Sequence, residues 1–179
     1  PAGRWAVAVE APVGPGARGA TLAEIRAGGV GKPVNDALRR AAVVALAELG
    51  RSSDSGDRAD AGRGLSCFAE MEEAVGPLLE LLLDRGDTFI TRVTAEALLR
   101  RQDRAGLMVV ASALAVADAN HGDWIHTAVL DAFAVYADDR DDAVRLCEEL
   151  ARDPDTDRAR GARELRARLA HIDCALHPA

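Results

Sequence analysis

Apolar residues recur along most of this chain at intervals of three and four, the spacing that lines one face of an α-helix. The period is clearest from Ala74 to Leu169, where it falls into three successive helix pairs. AVGPLLELLLD (74–84) is followed, after a break at Arg85–Asp87, by TFITRVTAEALLRRQ (88–102). RAGLMVVASALAVAD (104–118) is followed, after a break at Ala119–Asp123, by WIHTAVLDAFAVYA (124–137). DAVRLCEELARD (142–153) is followed, after Pro154, by TDRARGARELRARL (156–169). An earlier helix is expected over Asn35–Leu49, with Leu38, Ala41, Ala42, Ala45, Leu46 and Leu49 as its apolar stripe. Asn35 serves as its N-cap and Gly50 as its stop.

The segments between these helices carry their own signals. Residues 51–63 (RSSDSGDRADAGR) lose the period and are rich in Ser, Asp and Gly, so they predict a solvated polar loop. Asp87 and Asp123 stand where an N-cap belongs, and their charge favours the positive end of a helix. Pro77 removes one hydrogen bond from the helix that carries it. Residues 1–33 read as an irregular arm: Trp5–Glu10 alternates weakly like a strand, and the Thr21–Glu24 capping box starts one short helix. Gly28–Lys32 is not a phosphate loop, because Arg26 stands where its first glycine is needed and Pro33 where Ser or Thr is needed.

LRRAAVVALAELG (38–50) resembles the second helix of a HEAT-type repeat. VTAEALLRRQD (93–103) has the same pattern, and AVGPLLELLLD, with its early Pro77, resembles a first helix. Aligning Ala45-Leu46 on Ala97-Leu98 gives an offset of 52, and aligning Ala97-Leu98 on Ala132-Phe133 gives 35, close to the length of a two-helix repeat. The arginine that the family often carries early in the second helix is matched by Arg39, but Thr91 and His126 replace it in the next copies. The resemblance covers residues 35–169. It implies an all-α chain, an α-solenoid of about four antiparallel helix pairs in a right-handed HEAT-like superhelix. That repeat domain spans residues 34–179, with a C-terminal cap over 156–179. First helices would form one layer and second helices the other, with Ala97, Leu98, Ala132 and Phe133 between them.

Composition narrows the possible functions. The chain has 179 residues, 49% hydrophobic but only 3% aromatic, so Ala, Val and Leu must fill the core, as suits closely packed helices. Lys32 is the only lysine among 22 basic residues, a bias that suggests GC-rich coding sequence. A net charge of −7 weighs against a dedicated binder of nucleic acid or anionic membrane. Cys67, Cys147 and Cys174 lie far apart without CxxC spacing and read as reduced thiols. No apolar run is long enough to span a bilayer and no secretory leader opens the sequence, so a cytoplasmic protein is expected.

Several side-chain groups are candidates for function. Arg92, Glu96 and Arg100 share one helix face, and Asp131 falls one repeat after Glu96. With Trp124 as an aromatic anchor they form a candidate protein-binding surface on the layer of second helices. His121 and His126 around Asp123 supply too few donors for zinc. His171, Cys174 and His177 would share a face only if the tail were helical. Cys147 sits inside an amphipathic helix with no base nearby and reads as core. Arginines 158, 160, 163, 166 and 168 form the strongest basic cluster, and Asp138, Asp139, Asp141 and Asp142 offer a counter-charge. Two classes of function follow. The first is a non-catalytic protein-interaction module (adaptor, regulator or immunity-type binder) without cofactor or metal, whose expected partner is another protein, of basic character. The second is a HEAT-like enzyme acting on nucleic acid, such as a DNA-repair glycosylase.

Overall fold

The computed structural model describes residues 36–177. The expectations for the N-terminal arm, including the Asn35 cap, lie outside that range. Eight α-helices occupy the described residues: α1 (Asp36–Leu49), α2 (Ser55–Ser66), α3 (Glu72–Leu82), α4 (Thr88–Leu99), α5 (Arg104–Leu114), α6 (Ala119–Phe133), α7 (Ala137–Leu150) and α8 (Thr156–Ala170). Among the described residues the all-α expectation is met.

Five of these helices start at an aspartate whose carboxylate accepts from backbone N–H groups of the first turn. These caps are Asp54, Asp87, Asp103, Asp118 and Asp155. Each satisfies donors that the helix cannot, and places negative charge at the positive end of its dipole. The caps of the even-numbered helices, at 54, 87, 118 and 155, are 33, 31 and 37 residues apart. Capped helix starts therefore recur at comparable spacing even where hydrophobic periodicity is weak.

The largest correction is α2. Residues 51–63 are not a solvated loop, because Ser55–Ser66 is helical and buries Ala59, Ala61, Gly62, Leu65 and Ser66. Its buried face is built from small residues, so it lacks the apolar stripe that announces a helix. A Cβ on Gly62 would stand 3.1 Å from Thr94 Cβ and closer still to Thr94 Oγ1, so α2 and α4 meet with little between their backbones. Two other boundaries move. Asp123 does not cap α6, which begins at Ala119 behind Asp118, so His121 lies in its first turn. The acidic run 138–142 likewise lies within α7 rather than before it. There Asp138 and Asp139 occupy the first turn, where the dipole favours them.

One continuous core joins all eight helices, with Leu65, Leu78, Ile90, Leu98, Leu107, Ile125, Phe133, Leu150 and Leu165 fully enclosed. Even-numbered helices touch in the order α2–α4–α6, and odd-numbered helices in the order α1–α3–α5–α7. Helix α8 packs against α7 and, closely, against α5. Leu98 and Phe133 occupy the expected core positions, but Ala97 and Ala132 are only half-buried. The enclosed residues of α4 and α6 pair at a spacing of 34: Thr91 with Ile125, Thr94 with Ala128, Ala95 with Val129, Leu99 with Phe133. Alignment on Ala-Leu against Ala-Phe therefore set the register one residue too long. Of the apolar stripe expected on α1, Leu46 packs against the core, whereas Leu38, Ala41, Ala45 and Leu49 face outward; Val43 is the enclosed residue.

The C-terminal tail is not a frayed continuation of α8. After His171 it runs extended, and residues 134–137 receive it in a short parallel bridge between Tyr136 and Leu176. Ala175 N donates to Ala134 O at 3.0 Å, Leu176 N to Val135 O at 2.8 Å, and Ala137 N to Leu176 O at 3.0 Å. Arg140 Nη1 donates to Ile172 O at 2.9 Å and the buried Cys174 Sγ donates to Phe133 O at 3.3 Å. The tail thus closes the α6–α7 turn.

Candidate protein-interaction face on α4 and α6

Helical spacing puts Arg92, Glu96 and Arg100 on successive turns of α4, and packing of α4 against α6 brings Asp131 to them. Arg92 forms an ion pair with Asp131 at 2.7 Å, and Arg100 with Glu96 at 2.8 Å. Arg100 Nη2 also reaches the Asp131 carbonyl at 3.4 Å. The four charged candidates therefore form one connected surface across two helices. Trp124 stands two turns before Asp131 on the same face of α6 and is 37% exposed, so it is not absorbed into the core. Phe89, one turn before Arg92 and Val93 on α4, is 47% exposed and was missed by the sequence reading. Its signal was available, since Phe89 precedes Trp124 by the same 35 residues that separate Glu96 from Asp131. Beside this surface a groove of about 300 Å³, lined by Arg63, Val93, Glu96, Ala97 and Arg100, opens between α2 and α4.

The remaining candidates are placed elsewhere. His121 is buried against the α3–α4 turn. Its Nδ1 lies 2.7 Å from Asp118 Oδ1 and its Nε2 lies 3.0 Å from the Asp84 carbonyl. Both ring nitrogens face acceptors, an arrangement that the doubly protonated imidazolium satisfies. Burial pulls the His121 pKa down, but the bonds to Asp84 and Asp118 outweigh it and leave it above the usual histidine value of 6.5. Asp118 lies below its usual 3.8, held there by the His121 backbone N–H and then by its ring. A raised base stabilises the fold fully below pH 6.5 and stops doing so as pH rises through its folded value. A lowered acid stabilises above pH 3.8 and stops doing so as pH falls through its own. The pair is therefore at full strength between about pH 4 and 6.5. Urea midpoints should fall from pH 6 to pH 8.5 in the wild type, and His121→Asn should flatten that slope. An unchanged slope would show that the imidazolium contributes nothing.

His126 and His171 line a separate groove with Glu164 and Arg168 between α6 and α8. His171 Nδ1 is engaged with the Ala167 carbonyl at 2.6 Å, and Cys174 points into the core. The tail donors thus do not converge, and among the described residues no three His, Cys, Asp or Glu side chains do. Cys147 is wholly buried, and burial pushes its thiol pKa up to about 12, which removes it as a nucleophile at neutral pH.

The basic cluster of α8 is largely neutralised by its neighbours. Arg158 pairs with Asp153 and Asp155, Arg160 with Asp157, Arg166 with Glu148 and Arg168 with Glu164. Arg168 also donates to the Gly122 carbonyl at 2.9 Å, so it ties α8 to α6. Two of the four acids in the 138–142 run of α7 are engaged locally, Asp141 with Arg140 and Asp142 with Arg145.

Comparison with protein-family models, with curated proteins and with solved structures gave no match. No helix among the described residues is long and apolar enough to cross a membrane.

Proposed function

We propose that this chain is a non-catalytic protein-interaction module, an adaptor or regulator that binds its partner across the exposed face of α4 and α6. The carrying observation is the Arg92–Asp131 ion pair, which joins two helices into one surface flanked by exposed Trp124 and Phe89. Aromatic and arginine side chains are over-represented at binding hot spots, and charges on a rim set orientation and on-rate.

The reading takes α1/α2, α3/α4, α5/α6 and α7/α8 as four HEAT-like pairs with the even helices as the binding layer. Recurrence of the aspartate caps and the α2–α4–α6 contact order support it. Helix α8 departs from the pattern by packing closely on α5, as suits a terminal cap. The self-neutralised arginines of α8 favour a protein partner over nucleic acid.

The test is paired. Arg92→Glu with Arg100→Glu should cost no more than about 2 kcal/mol, since both ion pairs are exposed. The same change should weaken a partner captured by the wild-type chain at least tenfold. Duplex DNA should not bind. DNA binding that falls steeply with salt would instead favour the nucleic-acid reading.

A further inference from the structure

Helix α1 carries an apolar face that no described element covers. Ala37, Leu38, Ala41, Val44, Ala45 and Leu49 fall on one side of it, and all are exposed, Leu38 at 62% and Val44 at 67%. The opposite side packs Val43 and Leu46 against the core, where α1 touches α2 and α3. A fourteen-residue helix that leaves this much apolar surface outward is unusual for a monomer, because such a stripe is normally the buried one.

The charges bordering the face specify what fits it. Arg40 borders the stripe and Glu48 stands within it, four residues after Val44 and seven after Ala41, so the two charges are equidistant from Val44 along the helix. Arg40 and Glu48 remain largely exposed in their pairs with Glu73 and Arg51. A second copy of α1 laid antiparallel, with its midpoint on Val44, sets Leu38 of one copy beside Leu49 of the other. It also sets Arg40 toward Glu48, four residues to either side of the midpoint, and opposes the two helix dipoles. A parallel copy would set Glu48 beside Glu48 and Arg40 beside Arg40. The face is thus complementary to itself about a two-fold axis, the commonest symmetry of soluble oligomers.

We propose that the chain self-associates through α1 as an antiparallel, two-fold homodimer. The proposal is independent of the α4–α6 reading. A face about 21 Å long on a single fourteen-residue helix buries less than the roughly 800 Å² per partner of a tight complex. Association is therefore concentration-dependent, not obligate.

Sedimentation equilibrium of the full chain from about 1 μM to about 1 mM spans the range in which such an interface titrates. The mass should rise toward twice the monomer value. Val44→Glu and, separately, Leu38→Glu should raise the midpoint concentration at least tenfold without changing helical circular dichroism, because both side chains are exposed. Glu48→Arg should also weaken the dimer, and Arg40→Glu added to Glu48→Arg should restore it by exchanging the charges across the axis. A wild type that stays monomeric over the whole range overturns the proposal, and means that something other than a second copy occupies the face. Association undiminished in both glutamate variants overturns it as well, by placing the contact on another surface.

Discussion

Gly161→Ala should destabilise the fold by about 3 kcal/mol, despite replacing the poorer helix former with the best one. Gly161 lies inside α8 where that helix crosses α5. A Cβ there would stand 2.8 Å from the Ala111 carbonyl carbon, closer still to its oxygen, and 3.1 Å from Ala115 N. These are backbone atoms of a packed helix, so nothing can rotate away and α8 must move bodily. Helix propensity favours alanine by about 1 kcal/mol, and overpacking against backbone exceeds that. Gly76, within α3, is the matched control, because a Cβ there meets nothing within 4 Å. Gly76→Ala should therefore stabilise by roughly 0.5–1 kcal/mol. Thermal melts of the two variants should shift in opposite directions; a shift in the same direction would show that α8 does not seat on α5 as described.

Removing the Asp84 carboxylate should cost a comparable amount. Asp84 Oδ2 accepts from Arg58 Nε at 2.9 Å, in a pair that is 16% and 13% exposed, and Oδ1 accepts from the backbone of Gly86 and Asp87. Arg58 in turn holds the α1–α2 turn by donating to Ser52 O at 2.9 Å and Ser53 O at 3.1 Å. The Asp84 carbonyl receives His121 from α6. One residue therefore links α2, the α3–α4 turn and α6. Truncating one partner of a mostly buried pair leaves an uncompensated charge, which costs about 3–5 kcal/mol where burial is complete. With the exposure found here, Asp84→Ala should cost about 3 kcal/mol by urea denaturation. Asp84→Ala combined with Arg58→Met should recover part of the loss, since the stranded charge goes with it. A loss below about 1 kcal/mol would place the pair among ordinary surface bridges.

Helices α3, α4 and α5 were legible in the sequence because Leu, Ile and Val recur on one face and Asp87 caps the second of them. Helix α2 was not. Its packing surface is Ala59, Ala61 and Gly62, and small residues that permit close approach look like loop composition until a neighbour supplies the contact. The start of α6 was misplaced because Asp118 and Asp123 are equally good caps in isolation. Only the His121 contact with Asp118 and with the Asp84 carbonyl, across 37 residues, favours the first. The extended tail was illegible for a different reason. Its hydrogen bonds go to backbone at 133–137, and no side-chain pattern records a backbone partner. The α4–α6 surface was legible through a spacing of 35, although the core beneath it pairs at 34.

Photo-crosslinking from the proposed surface tests that surface most directly. A benzoylphenylalanine at position 124 replaces one exposed aromatic ring with another and should leave the fold intact. With the captured partner, the probe at Trp124 should crosslink efficiently and the same probe at Arg163, on α8, should not. Crosslinks from position 163 with none from 124 would contradict the account and move the binding surface to the C-terminal helix.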